Sequence, residues 1–206
     1  MSNKVSSIIL ASTSPHRRAL LDATGLCYSV AAPVDREADI VHANPRQLAQ
    51  LRATAKAEDI SIGQPDALVI GGDQVLGFEG KPYDKVSTKA EAFERLQKFS
   101  GHTHHLYSAL TLAYGGRPIR ELVVIAEMTM HHLSDQEIDA YLTTNEWRGC
   151  VGCYQFENSG GQLFSKVSGT HSTIIGLPIQ ELFQCLRSIG MKLLTNPKGP
   201  WTLDLS

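Results

Sequence analysis

The sequence contains no long apolar run, no marked excess of charge of one sign and no signal-peptide pattern. No stretch approaches the roughly 20 apolar residues of a membrane-spanning helix, so we predict no membrane partner. The N-terminal residues lack the long apolar segment and cleavage site of a secreted protein, and we therefore expect a cytoplasmic location. The formal net charge of −2 does not favour general binding of nucleic acid. Any anionic ligand would have to meet a local cluster of positive charge.

Metal-binding patterns of cysteine and histidine are also missing. Cys150 and Cys153 form a CxxC pair, but no second pair supplies the other ligands of a zinc site. A redox CxxC would normally open a helix after a strand, whereas residues 150–156 have the pattern of a strand. His102 and His104 have no carboxylate or cysteine at a ligand spacing. We therefore expect free thiols, as is usual in a reducing compartment.

Strand and helix patterns alternate along the 206 residues. Apolar, β-branched residues predict buried strands over 5–10 and 67–71, and shorter strands over 28–32, 150–156 and 162–167. Alternating residues predict a hairpin formed by 105–114 and 120–132, with its turn at Gly115 and Gly116. Apolar residues at helical spacing predict helices over 15–23, 45–60, 87–99, 135–142 and 178–189.

This order of elements predicts an α/β fold with a mixed twisted sheet flanked by helices. The chain is long enough for one domain over residues 1–206 with a core of its own. We expect a boundary between two lobes near Gly101. A cleft between the lobes is a natural place for a small-molecule site.

The first candidate site is the turn that opens the first predicted helix. Ser14 suits the N-cap and Pro15 suits the first helical position. The same turn carries Ser12, Arg17 and Arg18. Backbone N–H groups at a helix start, hydroxyls and two arginines together favour phosphate binding. An ordinary capped helix with solvated arginines would have the same sequence, so this alternative stays open.

The second candidate site is Asp73, which follows two glycines where the strand over 67–71 is expected to end. Ligands gather at strand ends in α/β sheets, and glycines let the backbone approach a ligand closely. A carboxylate there could hold a metal or activate a water, or it could simply occupy a tight turn. Lys56, Lys81 and Lys85 are candidate partners, and spacing alone does not choose among them.

Four ordered motifs resemble those of the Maf family, nucleoside triphosphate pyrophosphatases once described as septum-formation inhibitors. They are ILASTSPHRRALL at residues 9–21, VIGGDQ at 69–74, LQKFSGHTH at 96–104 and GLP at 176–178. The match extends from about residue 8 to residue 186, nearly the whole chain. The resemblance implies a Maf-like hydrolase of acid anhydrides that releases pyrophosphate and uses a divalent metal, Mg²⁺ or else Mn²⁺.

The resemblance also implies roles for individual residues. Ser12 and Arg17 match phosphate-binding positions of the family, and Lys56 matches the lysine of its second helix. Asp73 matches the catalytic acid, and Glu37 matches an acidic residue that would hold the metal together with Asp73. Whether Asp73 acts as general base, as metal ligand or as both stays open.

One further lysine of the family pattern has two matches in this chain. The family usually has Gly-Lys-Pro after the Asp turn, which resembles Lys81 followed by Pro82. An ungapped match anchored at residues 79–80 and 100–101 selects Lys85 instead, and the Gly and Pro are then missing. We favour Lys85 over Lys81.

Three departures bear on the substrate, one from some members of the family (His16) and two from its pyrimidine-selective members (Gln74 and Glu157). His16 replaces an arginine found in some members, Gln74 replaces a threonine and Glu157 replaces a glutamine. These features resemble the branch that acts on 7-methyl-GTP. A carboxylate can accept hydrogen bonds from both donors on the guanine edge, and it suits the positive charge of a 7-methylated ring.

We therefore expect a nucleotide partner, with 7-methyl-GTP as the favoured substrate. The alternatives are a dTTP/UTP pyrophosphatase of the same family and a non-catalytic, nucleotide-binding regulator of cell division. The sequence leaves the oligomeric state open, a homodimer included.

Overall fold

A computed structural model describes residues 4–34 and 39–205. Its strands are β1 (Lys4–Val5), β2 (Ser7–Ala11), β3 (Ser29–Ala31), β4 (Ala67–Phe78), β5 (Lys81–Tyr83), β6 (Thr103–Tyr114), β7 (Arg117–Met130), β8 (Phe164–Ser168) and β9 (Trp201–Thr202). Its helices are α1 (Pro15–Asp22), α2 (Pro45–Gly63), α3 (Lys89–Phe99), α4 (Asp135–Leu142), α5 (His171–Ile175) and α6 (Ile179–Ser188), with a 3₁₀ turn at Ser159–Leu163.

The main sheet has seven strands and is mixed, which confirms the predicted fold class. Its order is β3-β2-β4-β6-β7-β8, and β5 pairs with the end of β4. Strand β2 is parallel to both β3 and β4, whereas the other pairs in this sheet are antiparallel. Within the described residues, no helix combines the length and apolar composition needed to cross a membrane.

Strand β4 is longer than the sequence pattern predicts. Its parallel pairing with β2 ends at Gly71, and its pairing with β5 begins only at Leu76. On the other side, β6 pairs with β4 continuously from Val69 to Gly77. The prediction that the strand ends before Asp73 is therefore wrong, because the ladder with β6 continues the strand through both glycines. The edge of β4 between Gly71 and Leu76 pairs with no described strand.

Alternate residues of β4 face opposite layers of the molecule. Gly71 faces α2 so closely that a Cβ atom there would lie 2.3 Å from the Ala53 carbonyl oxygen. Leu68 and Ile70 face the other way and belong to a core cluster with Leu182 of α6. Since side chains alternate along a strand, Asp73 lies on the α2 face and Gln74 on the opposite face.

The predicted helix starts are confirmed. Ser14 caps α1 by accepting a hydrogen bond from the Arg17 N–H, and Pro15 occupies the first helical turn. Thr88 and Ser134 cap α3 and α4, each within a complete capping box. The predicted β6–β7 hairpin is also present, with its turn at residues 115–116. The lobe boundary near Gly101 stays a prediction.

Two strand predictions near the C-terminal third need correction. Residues 150–156 form turns rather than a strand, and Cys153 has a φ of 61°. The ring of Tyr154 folds back so that a Cβ on Gly152 would lie 2.3 Å from it, which an extended strand would not allow. The strand expected over 162–167 starts later, as β8, after the 3₁₀ turn. All four cysteines are free, as expected.

Candidate functional site

A cleft of about 310 Å³ opens beside the unpaired edge of β4. Its walls come from the start of α1, the α2 face of the sheet, the loop after β5, the loop at 149–157 and helix α5. The lining residues are Ser14, His16, Arg17, Arg52, Asp73, Gln74, Tyr83, Asp84, Lys85, Leu106, Gly149, Cys150, Val151, Gly152, Tyr154, Phe156, Glu157, Ile174 and Ile175. Six of the residues predicted for the site line one continuous space: Ser14, Arg17, Asp73, Gln74, Lys85 and Glu157.

Asp73 and Lys56 form the most buried charged pair in the cleft wall. The Lys56 ammonium donates to Asp73 Oδ1 at 2.7 Å, and the two side chains are 13% and 6% exposed. Asp73 Oδ2 is buried and accepts no hydrogen bond from any described residue. Because a buried carboxylate oxygen without a donor is unfavourable, this atom is suited to a water molecule or a cation.

Asp73 is the described carboxylate best placed to hold a divalent metal. Glu37, the other predicted metal ligand, lies outside the described residues. Over 4–34 and 39–205, no group of three or more His, Cys, Asp or Glu side chains could hold a metal ion. Magnesium is commonly bound by one or two carboxylates together with substrate phosphates and water, so an Oδ2 atom that accepts no hydrogen bond from a described residue fits such an ion.

Arg17 crosses the cleft floor from the start of α1. Its Nε donates to the Gly176 carbonyl at 2.9 Å, and its side chain packs on Gly72 of β4. Ser12 is buried beneath this turn, where its hydroxyl accepts from the Ser14 N–H at 3.1 Å. Arg18 lies outside the cleft and pairs with Asp22 at 3.8 Å. Of the predicted phosphate turn, Ser14 and Arg17 therefore reach the cleft.

Gln74 binds three acceptors on the face of β4 opposite Asp73. Its amide nitrogen donates to the Ser108 hydroxyl at 2.9 Å and to the carbonyls of Thr173 and Ile174, each at 3.0 Å. The Ser108 hydroxyl donates to the Thr173 carbonyl, so it accepts from Gln74. The partners are all acceptors, which fixes the amide orientation. The side-chain oxygen accepts no hydrogen bond from described residues, and Gln74 lines the cleft.

The two candidate lysines after Asp73 lie in different places. Lys85 lines the cleft, whereas Lys81 is an exposed residue of β5 that does not. The cleft also contains Arg52, which the sequence analysis missed. Its guanidinium donates to the Asp84 carboxylate at 3.2 Å, and its side chain is only 11% exposed. The missed signal was the spacing of Arg52 and Lys56, which lie one helical turn apart on α2.

Aromatic side chains and the carboxylate of Glu157 also line the cleft. Tyr154 and Phe156 line it, and both rings pack on Phe164, with centroids 4.8 and 5.8 Å away. The Glu157 carboxylate lies 3.6 Å from the His16 ring nitrogen, which comes from the start of α1. The two aromatic residues were not predicted for the site, because residues 150–156 were expected to form a strand.

Buried groups behind this wall hold Tyr154 in place. The Tyr154 hydroxyl and His104 Nε2 are 2.7 Å apart, and the His104 ring stacks on Phe99. Burial is the main cause that lowers the pKa of His104 to about 3, and the nearby His105 charge adds to it. Burial also raises the pKa of Cys150 to about 11, so this cleft residue is a thiol at neutral pH.

Comparisons with known proteins agree on one family. A family model described as Maf-like protein matches residues 7–189. The chain is 40% identical to a 7-methyl-GTP pyrophosphatase of Bartonella quintana (strain Toulouse), covering 89% of this chain and 96% of the relative. It is 39% identical to a nucleoside triphosphate pyrophosphatase of Nitrobacter hamburgensis, covering 89% and 94%. It is 34% identical to a dTTP/UTP pyrophosphatase of Akkermansia muciniphila, covering 90% and 97%.

Proposed function

The chain belongs to the family of Maf-like proteins, and on that premise we propose that it hydrolyses 7-methyl-GTP to 7-methyl-GMP and pyrophosphate. Relatives of this chain are named pyrophosphatases, and they differ in the nucleotide that their names give. The reaction therefore rests on the family, whereas the choice of nucleotide rests on the residues of this cleft.

The observation that carries the proposal is the set of cationic, acidic and aromatic side chains that line one cleft. Arg17, Arg52 and Lys85 line the same cleft as Asp73, and so do the acceptor Glu157 and the aromatic residues Tyr154 and Phe156. A triphosphate needs cations, whereas a purine ring needs stacking surfaces and edge contacts. A nucleotide bound with its phosphates towards Asp73 and its base towards Glu157 satisfies both requirements.

At the phosphate end, Arg17 and Lys85 neutralise the triphosphate. The Arg17 Nε is already bonded to Gly176, which orients the guanidinium and leaves its terminal nitrogens to donate to phosphate oxygens. Lys85 adds an ammonium group to the lining of the same cleft. Such positioning and charge neutralisation supply most of the rate enhancement in phosphoryl transfer.

Asp73 acts on the water molecule that attacks the α-phosphorus. The carboxylate orients this water and accepts its proton as the new P–O bond forms and pyrophosphate leaves with the bridging oxygen. Lys56 holds Oδ1 at 2.7 Å, so Oδ2 is the atom presented to the reaction. A Mg²⁺ ion held by Asp73 and the phosphates would supply further neutralisation of the triphosphate charge.

For the base, two oxygen acceptors that line the cleft favour a guanine edge. Glu157 and the Gln74 side-chain oxygen both accept hydrogen bonds, and guanine presents two adjacent donors on its Watson–Crick edge. Uracil has one donor flanked by acceptors, and this arrangement satisfies Glu157 less well. The carboxylate and the aromatic rings of Tyr154 and Phe156 also suit the positive charge of a 7-methylated purine.

The test is pyrophosphate release, with Mg²⁺, from 7-methyl-GTP, GTP, dTTP, UTP and CTP. We expect the highest kcat/KM with 7-methyl-GTP. Asp73→Asn should lower kcat by roughly a hundredfold or more, because it removes the proton acceptor. Glu157→Gln should lower the preference for 7-methyl-GTP over UTP by about tenfold, the loss of one hydrogen bond to a charged group. Asp66→Asn, at an exposed carboxyl outside the cleft, is the matched control.

The possible outcomes test the proposed reaction and the proposed substrate separately. Turnover led by dTTP or UTP would keep the hydrolase and overturn the choice of 7-methyl-GTP. An Asp73→Asn variant with nearly full turnover would remove Asp73 from the role of base. Nucleotide binding without pyrophosphate release from any substrate would favour a regulatory binder instead.

A further inference from the structure

The half-buried Arg95 of α3 touches both walls of the cleft without lining it. One terminal nitrogen of its guanidinium donates to the carbonyls of Asp84 and Val151, the latter at 3.1 Å. Asp84 precedes Lys85 at the phosphate end, whereas Val151 belongs to the loop over 149–157 that leads to the base end. The guanidinium also lies over the Tyr83 ring, 5.0 Å from its centroid.

The segment that bears Lys85 has little regular structure of its own. Residues 84–88 lie between β5 and α3 and belong to neither. Arg52 of α2 holds the Asp84 side chain, and Arg95 of α3 holds the Asp84 carbonyl. Because the residue next to Lys85 is fixed at two points, the backbone from which the Lys85 ammonium reaches the cleft is fixed as well.

The loop over 149–157 depends on the same contact. It consists of turns, and the backbone hydrogen bond from the Cys153 N–H to the Cys150 carbonyl closes one of them. The bond from Arg95 joins this loop to α3 at Val151. A single side chain therefore bridges the loop that carries Glu157 and the segment that carries Lys85.

We propose that Arg95 is a positioning residue, which holds the phosphate-binding and base-binding walls of the cleft at the spacing that one nucleotide requires. The inference rests on the proposed pyrophosphatase activity. Arg95 acts through Lys85 and through the 149–157 loop, and it makes no contact with the substrate. Misplacement of reacting groups by about 1 Å can lower a rate by about a hundredfold, so loss of this contact has a large kinetic effect.

A double-mutant cycle tests the action through Lys85. Arg95→Met, which keeps the apolar stem but removes the nitrogen that makes both hydrogen bonds, should lower kcat/KM by roughly 10- to 100-fold. In a Lys85→Met background the same substitution should lower it by a smaller factor, because the part of the effect that acts through Lys85 is already gone and only the part that acts through the 149–157 loop remains. Arg95→Lys should restore part of the activity. Arg187→Met, at an exposed arginine of α6, is the matched control.

Hydrogen exchange of the full-length protein gives a second measurement that does not depend on activity. We expect Arg95→Met to speed amide exchange in both 84–88 and 149–153, with Arg95→Lys intermediate and Arg187→Met unchanged. Equal losses of kcat/KM in the two backgrounds, or unchanged exchange in either segment, would overturn the proposal. If the wild-type protein releases no pyrophosphate, the proposed function fails, and the exchange data alone then decide the role of Arg95.

Discussion

His104 illustrates how burial controls the charge of a single residue. Its ring is fully buried, stacked on Phe99 and bonded to the Tyr154 hydroxyl, and its pKa is lowered to about 3. The unfolded chain takes up this proton near pH 6.5, whereas the folded chain resists it until about pH 3. Lowering the pH between these values therefore favours unfolding, by about 1.4 kcal/mol per pH unit for this one group.

The prediction is a difference between two pH profiles of stability. The free energy of unfolding, measured in urea from pH 7 to pH 4, should fall more steeply for the wild type than for His104→Gln. Below pH 6.5 the two slopes should differ by about 1.4 kcal/mol per pH unit, which corresponds to one proton taken up on unfolding. Above pH 7 the slopes should be equal. Parallel profiles over the whole range would show that His104 takes up its proton equally in both states.

At the scale of residues, sequence predicted what local rules determine. Ser14 and Pro15 follow from helix capping, and the structure confirms both. Arg52 could have been predicted from its spacing to Lys56, one helical turn apart on α2, whereas the aromatic residues join the cleft only through contacts between distant elements. From the sequence, Arg18 was as good a candidate for phosphate binding as Arg17. Successive residues of a helix differ in direction by about 100°, so the Arg18 side chain points away from the cleft and pairs with Asp22.

At the scale of elements, Gly71 permits the close approach of β4 and α2. An added Cβ would lie 2.3 Å from the Ala53 carbonyl and 2.7 Å from the Ala57 Cβ. We expect Gly71→Ala to destabilise the fold by about 1–3 kcal/mol, since backbone atoms on both sides would have to move. Chemical denaturation monitored by circular dichroism measures the change.

A glycine on α2 itself provides the comparison. At Gly63 an added Cβ would meet nothing within 4 Å, so Gly63→Ala should leave stability unchanged or raise it by up to about 1 kcal/mol. Equal stabilities of the two variants would mean that β4 and α2 can separate without loss. The close packing that brings Lys56 to Asp73 would then be looser than the structure shows.

The lengths of the elements were harder to predict than their existence. The helices α3 and α4 and the β6–β7 hairpin follow from period and caps, and they are confirmed. Glycines ended the predicted strand at Gly71, but tertiary pairing with β6 overrides this local preference. The turns at 150–156 contain apolar residues that cover a core, and their pattern resembles that of a strand.

At the scale of the whole molecule, a C-terminal segment closes the core beside β2. Strand β9 pairs with β1, where Trp201 lies opposite Val5, and the Trp201 side chain is buried in the cluster with Leu182. We expect Trp201→Ala to lower the free energy of unfolding by about 3–5 kcal/mol. Thermal and urea unfolding would measure this loss.

Leu194 is the matched control from the same segment. Its side chain is 97% exposed, so Leu194→Ala should change stability by less than about 0.5 kcal/mol. A similar small effect at Trp201 would show that this end of the chain contributes little to the fold. No sequence pattern beyond residue 189 predicted this strand, because a two-residue pairing leaves no periodicity to detect.

The mixed sheet and the family were both predictable from sequence, and they are confirmed. Alternating strand and helix periods determine the first, and four motifs in a fixed order determine the second. The number of residues between motifs does not show which side chains share a cleft. Which side chains share the cleft is determined by the distances between strands and helices in the folded sheet.

Adjacent residues of β4 point to opposite faces, and this separates two properties on which selection can act independently. If Asp73 carries the chemistry and Gln74 helps to choose the nucleotide, substitutions at even-numbered positions of this strand can change substrate preference while the reactive face persists. Members of the family can then diverge in substrate preference through substitutions on one face of the strand, without changes to the reactive face. A single-residue deletion in β4 would exchange the two faces at once, so we expect insertions and deletions to be tolerated least in this strand.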